Sequence, residues 1–209
     1  PKLTATPSSF MSGLNSKTAY ISFAEFHGSA FSQLKTALEY MKNAGKTKLI
    51  LDLRNNGGGS MSVLCDIASL FIEKPNSLIA CARYKDGSTK EYRTRGDNFF
   101  NMEKTIVLAN GNTASASECL IGAMKHYGGA FNANNLVIEK SAQGVAKTYG
   151  KGVMQTTYSR WPEKDAIKVT TAIVYQPNNT TINGVGFIAT ENCAAETGAG
   201  LEKAISLLA

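Results

Sequence analysis

Three short segments of the chain hold residue types that could carry out acyl-transfer chemistry. Residues 52–59 have the sequence DLRNNGGG, residues 111–118 have GNTASASE, and residues 148–155 have TYGKGVMQ. The first segment contains consecutive glycines, whose backbone N–H groups are not shielded by side chains. The second contains a serine near a predicted helix start, and the third contains a lysine between two glycines. A hydroxyl, an amine and a set of backbone donors are together the parts of a nucleophilic site.

Ser115 in the second segment is the candidate nucleophile. A helix is predicted to begin here, so unpaired N–H groups and the helix dipole favour negative charge nearby. The N–H of Ala116 could donate to an oxyanion, and the alanines on both sides of Ser115 leave room for a substrate carbonyl. Serine is also among the commonest helix N-caps, and the residues alone leave that capping role open.

The other two segments could supply an oxyanion site and a base. Glycine-rich backbone at Gly58 and Gly59 can turn N–H groups toward one point, although a simple tight turn into the next helix would need the same residues. Lys151 could act as a base if burial or low-dielectric surroundings keep its amine unprotonated, whereas most loop lysines are solvated. If the strand begins at Lys151, alternation puts Gln155 on the same side, where its amide could orient that amine.

The elements that must position these segments alternate between strands and helices, which predicts a single α/β domain of layered architecture. Open α/β sheets place active sites at the carboxyl ends of their strands, where these segments are predicted to lie. Strands are predicted at residues 19–26, 48–53, 77–84, 90–94, 105–109, 136–139, 153–158 and 167–175. Helices are predicted around residues 31–41, 64–71, 117–127 and 201–208, and residues 1–17 are predicted to be irregular.

Taken together and in this order, the three segments resemble the carboxyl-terminal processing peptidases, also called tail-specific proteases, of peptidase family S41. The resemblance rests on LDLRNNGGGS, NTASASE and TYGKGVMQ, and it extends from about residue 19 to about residue 188. It implies that Ser115 is the nucleophile, that Lys151 is its general base, and that Gln155 holds Lys151 in place. The implied activity is a serine endopeptidase that cleaves polypeptides near their C-termini through an acyl-enzyme, without a metal or cofactor.

The same resemblance implies further properties. The N–H groups of Gly59 and Ala116, with that of Gly58, would form the oxyanion hole, and Glu118 matches a motif glutamate that would support the helix start. The fold would be a ClpP/crotonase-like α/β core, with one peptidase domain over residues 1–209. A secreted, periplasmic or cell-envelope location is implied as well.

The chain departs from the family pattern in three places. The interval between the serine and lysine segments is long, with an apparent insertion at residues 132–143. The late GI-x-PD segment of the family stands here as GFIATE, without the proline–aspartate pair. No PDZ domain, which many members use to tether or gate substrates, is found in this sequence.

Composition narrows the other possibilities. The chain has 209 residues and a formal net charge of +6, but its basic residues are scattered and form no nucleic-acid-binding motif. No apolar run approaches the roughly 20 residues of a membrane helix. Its four cysteines are far apart and contain no CxxC pair, so a zinc site is not predicted. Of the two histidines, His126 lies about three turns along the serine helix and cannot reach Ser115, and His27 is predicted to be structural.

Two other functions remain open at the level of sequence. One is a peptidase-like domain that binds peptides but is catalytically silent, or that cuts only with a partner domain. The other is a different acyl-transfer hydrolase, such as an esterase, on the same core. The oligomeric state and the natural substrate are not predicted.

Overall fold

The structure, a computed structural model, describes residues 4–6, 15–96, 98–160 and 165–208. Within these ranges no helix combines the length and the apolar character that crossing a bilayer requires. The helices are α1 (Ala30–Asn43), α2 (Met61–Ala68), α3 (Ala116–Tyr127) and α4 (Gly200–Ser206). The strands are β1 (Thr4–Thr6), β2 (Thr18–Ser22), β3 (Lys48–Asp52), β4 (Leu78–Tyr84), β5 (Thr89–Arg93), β6 (Lys104–Ala109), β7 (Leu136–Glu139), β8 (Val153–Arg160), β9 (Asp165–Tyr175) and β10 (Ala194–Ala195).

The strands form two sheets. The larger sheet has the order β1-β2-β3-β6-β7-β10, and all of its neighbouring pairs are parallel except β1 with β2. The smaller sheet is antiparallel and has the order β5-β4-β9-β8. Because helices alternate with the parallel strands, the predicted single-domain α/β fold is confirmed.

The central strands of the larger sheet are apolar because both of their faces are covered. In β3, Leu49 and Leu51 face the main core beneath α1, α2 and α3, whereas Ile50 faces a smaller cluster with α4. In β6, Val107 and Leu108 divide between the two cores in the same way. Alternation with a period of two on a doubly covered sheet produces the continuous apolar runs from which these strands were predicted.

The carboxyl ends of β2, β3 and β6 lie at the same edge of the larger sheet. Asp52 at the end of β3 pairs with Ser22 of β2 on one side and with Leu108 of β6 on the other. The turn after β3 and the segment after β6 therefore leave the sheet side by side. This register brings the glycine turn next to the serine segment.

Most differences from the predicted elements occur at element ends. The predicted strand 19–26 ends at Ser22, and Phe26 instead forms an isolated bridge with Gly59. Helix α2 ends at Ala68, so Phe71 lies beyond it. Within the segment predicted to be irregular, residues 4–6 form β1, while residues 1–3 and 7–14 lie outside the described part of the chain. The two-residue strand β10 is too short to leave a periodic pattern.

A hairpin of β8 and β9 begins two residues after Lys151. Met154 pairs with Ala172 and Gln155 pairs with Thr170, so one residue of β9 is left over and forms a bulge. A bulge bends the strand locally and redirects side chains. The bend therefore lies beside Gln155, the residue predicted to orient Lys151.

A buried polar network joins β2, β3 and β7. The Tyr20 hydroxyl donates to Asp52 Oδ2 at 2.6 Å, and the Arg54 guanidinium bonds to Asp52 and, at 2.8 Å, to Glu139. Glu139 Oε1 also accepts from the Gly200 N–H at 3.0 Å, which ties α4 to β7. Burial, and then the bond to the Asp52 carboxylate, raises the pKa of Tyr20 to about 12.

The raised pKa of Tyr20 predicts an alkaline loss of stability. The native state holds the phenolic proton more tightly than the unfolded chain, so this contribution is complete below pH 10 and is lost as the pH rises through about 12. We expect Tyr20→Phe to be less stable at pH 8 by about 1–3 kcal/mol, because Asp52 loses a donor. Its free energy of unfolding should also fall less than that of the wild type between pH 10 and pH 12.

Denaturant unfolding at a series of pH values measures both effects. Tyr40→Phe is the matched control, since Tyr40 is 67% exposed and should change neither quantity. An unfolding free energy with the same alkaline slope in Tyr20→Phe and in the wild type would contradict the prediction.

Candidate active site

The three segments singled out from the sequence meet in one cleft. This cleft has a volume of about 550 Å³, and its lining includes Gly58, Gly59, Ser115, Lys151 and Gln155. Ala116, the remaining predicted site residue, is buried directly behind Ser115 at the start of α3. Residues that are almost a hundred positions apart in the sequence therefore share one solvent-accessible space.

Ser115 occupies the N-cap position of α3 with an unusual backbone conformation. Its φ is 59° and its ψ is −117°, a region that L-residues other than glycine rarely adopt. Such a conformation costs on the order of 1–3 kcal/mol and persists only where the surroundings enforce it. The Ser115 N–H donates to Glu118 Oε2 at 3.0 Å, which is one of the bonds that enforces it.

The glycine turn packs directly against the serine. A Cβ atom on Gly58 would lie 2.7 Å from the Ala116 nitrogen and 2.8 Å from Ser115 Cβ, so only glycine fits there. The Gly58 N–H donates to Asn56 Oδ1 at 2.9 Å and is therefore already engaged. In the described part of the chain, the N–H groups of Gly59 and Ala116 have no acceptor. These two donors are the better candidates for an oxyanion hole, and Gly58 contributes close packing.

Asn56 is a buried residue that fastens the glycine turn on both sides. Its Nδ2 donates at 2.8 Å to the carbonyl of Phe23, the first residue after β2. Its own carbonyl accepts from the Ala114 N–H and from Ser117 Oγ, both at 3.0 Å. The position of the glycine turn relative to the serine segment is thus set by hydrogen bonds from one asparagine.

Glu118 joins the serine segment to the lysine segment. Its side chain is fully buried, and the carboxylate accepts four hydrogen bonds. Oε2 accepts from the N–H groups of Ser115 (3.0 Å) and Lys151 (2.9 Å), and Oε1 accepts from Thr148 Oγ1 (2.6 Å) and the Gly150 N–H (2.8 Å). The resemblance implied a role for Glu118 at the helix start only. The S-x-x-E spacing of a capping box fits the bond to the Ser115 N–H but gives no sign of the bonds to the distant loop.

The glycines beside Lys151 are required by close packing against the turn 182–186. A Cβ on Gly152 would lie 2.6 Å from the Asn183 nitrogen, and one on Gly150 would lie 2.9 Å from the Gly186 nitrogen. The Gly184 N–H donates to the Gly150 carbonyl at 2.9 Å. The lysine segment is therefore held between Glu118 on one side and this turn on the other.

The side chains of Ser115, Lys151 and Gln155 line the same cleft without hydrogen bonds to one another in the described part of the chain. The roles of Lys151 as base and of Gln155 as its orienting partner remain predictions. His27 pairs instead with Glu25, with 2.9 Å between Nε2 and Oε2.

Part of the cleft wall is apolar. This apolar arm is formed by Met61, Cys119, Met154 and Val174. Cys119 lies one helical turn beyond Ser115, and burial, with the Glu118 charge as a second cause, raises the pKa of its thiol to about 12. A thiol that stays protonated at neutral pH is a poor nucleophile, so Cys119 contributes an apolar wall to the cleft.

Comparison with known sequences gives a consistent result. The family model described as peptidase family S41 matches residues 17–192. A probable CtpA-like serine protease of Staphylococcus epidermidis is 31% identical over 162 residues, which are 78% of this chain and 30% of that protein. A probable CtpA-like serine protease of Staphylococcus aureus is 30% identical over 172 residues, which are 81% of this chain and 32% of that protein. The chain thus spans about a third of the length of these curated relatives.

Comparison with solved structures shows the same fold. The photosystem II D1 C-terminal processing protease superposes with a TM-score of 0.73 at 24% identity, covering 99% of this chain and 52% of that one. An S41 protease structure from Bacteroides fragilis superposes with a TM-score of 0.69 at 19% identity, covering 96% of this chain and 51% of that one. Identities this low establish the architecture alone.

The buried Glu118 carboxylate predicts a specific loss of stability on neutralisation. In Glu118→Gln the amide nitrogen would face N–H donors that now point at an oxygen, leaving at least one buried donor unpaired. We expect the free energy of unfolding to fall by about 1–3 kcal/mol. Amide exchange at Gly150 and Lys151 should become faster, because both N–H groups bond to this carboxylate.

Glu202→Gln is the matched control. Glu202 also lies in the first turn of a helix but is exposed, so its substitution should leave both the stability and the exchange rates near those of the wild type. If Glu118→Gln unfolds at the same denaturant concentration as the wild type, the joining role of Glu118 is wrong.

The backbone of Ser115 predicts a gain of stability on substitution by glycine. Glycine adopts φ 59° without steric cost, so Ser115→Gly should raise the free energy of unfolding by about 1–2 kcal/mol relative to Ser115→Ala, which keeps a Cβ. Denaturant unfolding of the two variants measures the difference. Ser32→Gly, at an exposed position of α1, should instead lose about 0.5–1 kcal/mol, as glycine does in an ordinary helix. A Ser115→Gly variant less stable than Ser115→Ala would show that the conformation carries no strain.

Proposed function

The chain belongs to peptidase family S41, and from that premise we propose that it is the catalytic domain of a serine endopeptidase that works through a Ser115–Lys151 pair. The observation that carries the proposal is the shared cleft. Ser115, in a strained conformation at a helix N-terminus, and Lys151 both line it, and Glu118 bonds to the backbone N–H of each. A serine that served only as a helix N-cap would need neither this strained conformation nor a lysine in the same cleft.

In the proposed reaction, Ser115 Oγ attacks the carbonyl carbon of the scissile peptide bond while the unprotonated Lys151 amine takes the hydroxyl proton. The N–H groups of Gly59 and Ala116 donate to the oxyanion of the tetrahedral intermediate, and such a donor is worth about 3–4 kcal/mol. Lys151 then gives the proton to the departing amine nitrogen, and the C–N bond breaks. Water, with Lys151 again as base, hydrolyses the Ser115 ester.

The substrate we propose is a polypeptide cleaved near its C-terminus. Two observations support this choice: the names of the similar proteins include a C-terminal processing protease, and the apolar arm beside Ser115 suits an apolar side chain. The remaining two thirds of the curated relatives are not represented in this chain, so the substrate selection of those whole proteins does not transfer with the domain. A location outside the cytoplasm remains a prediction from the resemblance.

Cleavage of an unfolded test protein examines the proposal. We expect Ser115→Ala and Lys151→Ala each to lower the cleavage rate by about 10³-fold or more. The reason is that removing one member of a catalytic unit costs about as much activity as removing the whole unit. Lys125→Ala, an exposed lysine on α3, is the control and should cleave at the wild-type rate. A fluorophosphonate should label the wild type at Ser115.

Two results would count against the proposal. Full activity in Ser115→Ala would remove Ser115 as the nucleophile. Peptide binding with neither turnover nor labelling would favour a catalytically silent domain. Parallel assays with small esters and with peptides separate a peptidase from an esterase.

A further inference from the structure

The cleft continues beyond Lys151 into a second space. This space has a volume of about 530 Å³, and Lys151 and Gln155 line it as well as the first one. Its own walls include Asn112, Tyr149 and Asn183, which together are called the polar arm here. Ser115 lines the first space but not the second. The two spaces thus meet at Lys151 and Gln155, and only the first of them reaches Ser115.

The chemistry of acyl transfer assigns the two arms to different parts of a substrate. After the C–N bond breaks, the acyl part is bonded to Ser115 Oγ and must lie in the space that Ser115 lines. The nitrogen of the other part receives from Lys151 Nζ the proton that Ser115 lost, so this part leaves on the lysine side. From this asymmetry we propose that the polar arm binds the leaving part of the substrate polypeptide, C-terminal to the scissile bond. This inference rests on the proposed function.

The walls of the polar arm suit a peptide backbone. The Asn112 side chain is oriented by a hydrogen bond from its Nδ2 to Asn55 Oδ1 at 2.9 Å. Within the described residues the Oδ1 of Asn112 accepts no hydrogen bond, so it can accept one from a substrate N–H. Tyr149 is 63% exposed, and its hydroxyl has no partner in the described part of the chain. An exposed tyrosine offers a broad surface at low entropic cost together with a polar end.

The backbone that carries the polar arm is held in place by close contacts. The Tyr149 N–H donates to the Thr113 carbonyl at 3.0 Å, so the base of this side chain is fixed to the serine segment. The backbone of Asn183 packs against Gly152 so closely that no Cβ would fit there. A preformed wall binds a peptide without first having to order itself, which favours its use as a binding surface.

Two substrates with the same acyl part and different leaving parts test the proposal. One is a peptide that continues for four residues past the scissile bond, and the other is the p-nitroanilide of the same acyl peptide, which has no residues there. We expect Tyr149→Ala to lower the ratio of kcat/KM for the long peptide to kcat/KM for the anilide by about tenfold. Asn112→Ala, as a second variant, should lower the ratio in the same direction.

Tyr158→Ala is the matched control, since Tyr158 is a similarly exposed tyrosine on β8 that lines neither arm. It should keep the wild-type ratio. A second readout uses a dipeptide amide that competes with water for the acyl-enzyme formed from the anilide. Tyr149→Ala should form less of the aminolysis product at a given dipeptide concentration, because the incoming amine enters through the same arm.

The outcomes separate the two proposals. If the wild type hydrolyses both substrates but Tyr149→Ala and Asn112→Ala keep its ratio and its aminolysis yield, the assignment of the polar arm is wrong and the peptidase function stands. If the wild type hydrolyses neither substrate and Ser115 takes no fluorophosphonate, the proposed function fails and the polar arm assignment falls with it. Thermal unfolding of both variants verifies that an altered ratio comes from a folded protein.

Discussion

The arrangement of the site depends on one buried carboxylate. Glu118 has no exposed surface, and a charged carboxylate in such a place is tolerated only when hydrogen bonds replace the water it has lost. Its four donors come from two segments that are about thirty residues apart in sequence, and two of these donors belong to Ser115 and Lys151 themselves. The hydrogen bonds that this one carboxylate requires therefore determine how close the backbones of Ser115 and Lys151 lie.

Close packing at two glycines also holds the segments of the site together. Gly58 lets the turn after β3 rest on Ser115 and Ala116, and Gly152 lets the lysine segment rest on the backbone of Asn183. At both places a single methyl group would separate the segments. The glycines of the motifs are thus needed for contact between backbones, and within the described residues the N–H of Gly59 is left without an internal acceptor.

The sequence predicted the layers of the fold well because the central strands are covered on both faces and the helices have one apolar face. It predicted which segments would meet because strand ends in a parallel sheet share an edge, and family membership agrees with the resemblance seen in three ordered motifs. It did not predict β10 or the end of β2, since neither a two-residue strand nor a bridge to a distant glycine leaves a local pattern. The role of Asn56 and the bonds between Glu118 and the lysine segment were also missed, because the neighbours of a polar residue in the sequence do not reveal that its side chain is buried against a distant segment. The hydrogen bond from the Gly58 N–H to the Asn56 side chain was not predicted either, because the sequence does not show in which direction that side chain points.

The strained backbone of Ser115 has a consequence for the life of the chain before it is fully folded. The hydroxyl is present as soon as residue 115 exists, but the conformation that presents it depends on Glu118, and the loop that Glu118 also holds depends on contacts as far along as Phe187. A nascent or partly unfolded copy lacks those contacts, so nothing holds its Ser115 at positive φ and the residue relaxes to an ordinary conformation. The geometry around Ser115 is thus completed only after the chain has been extended as far as Phe187.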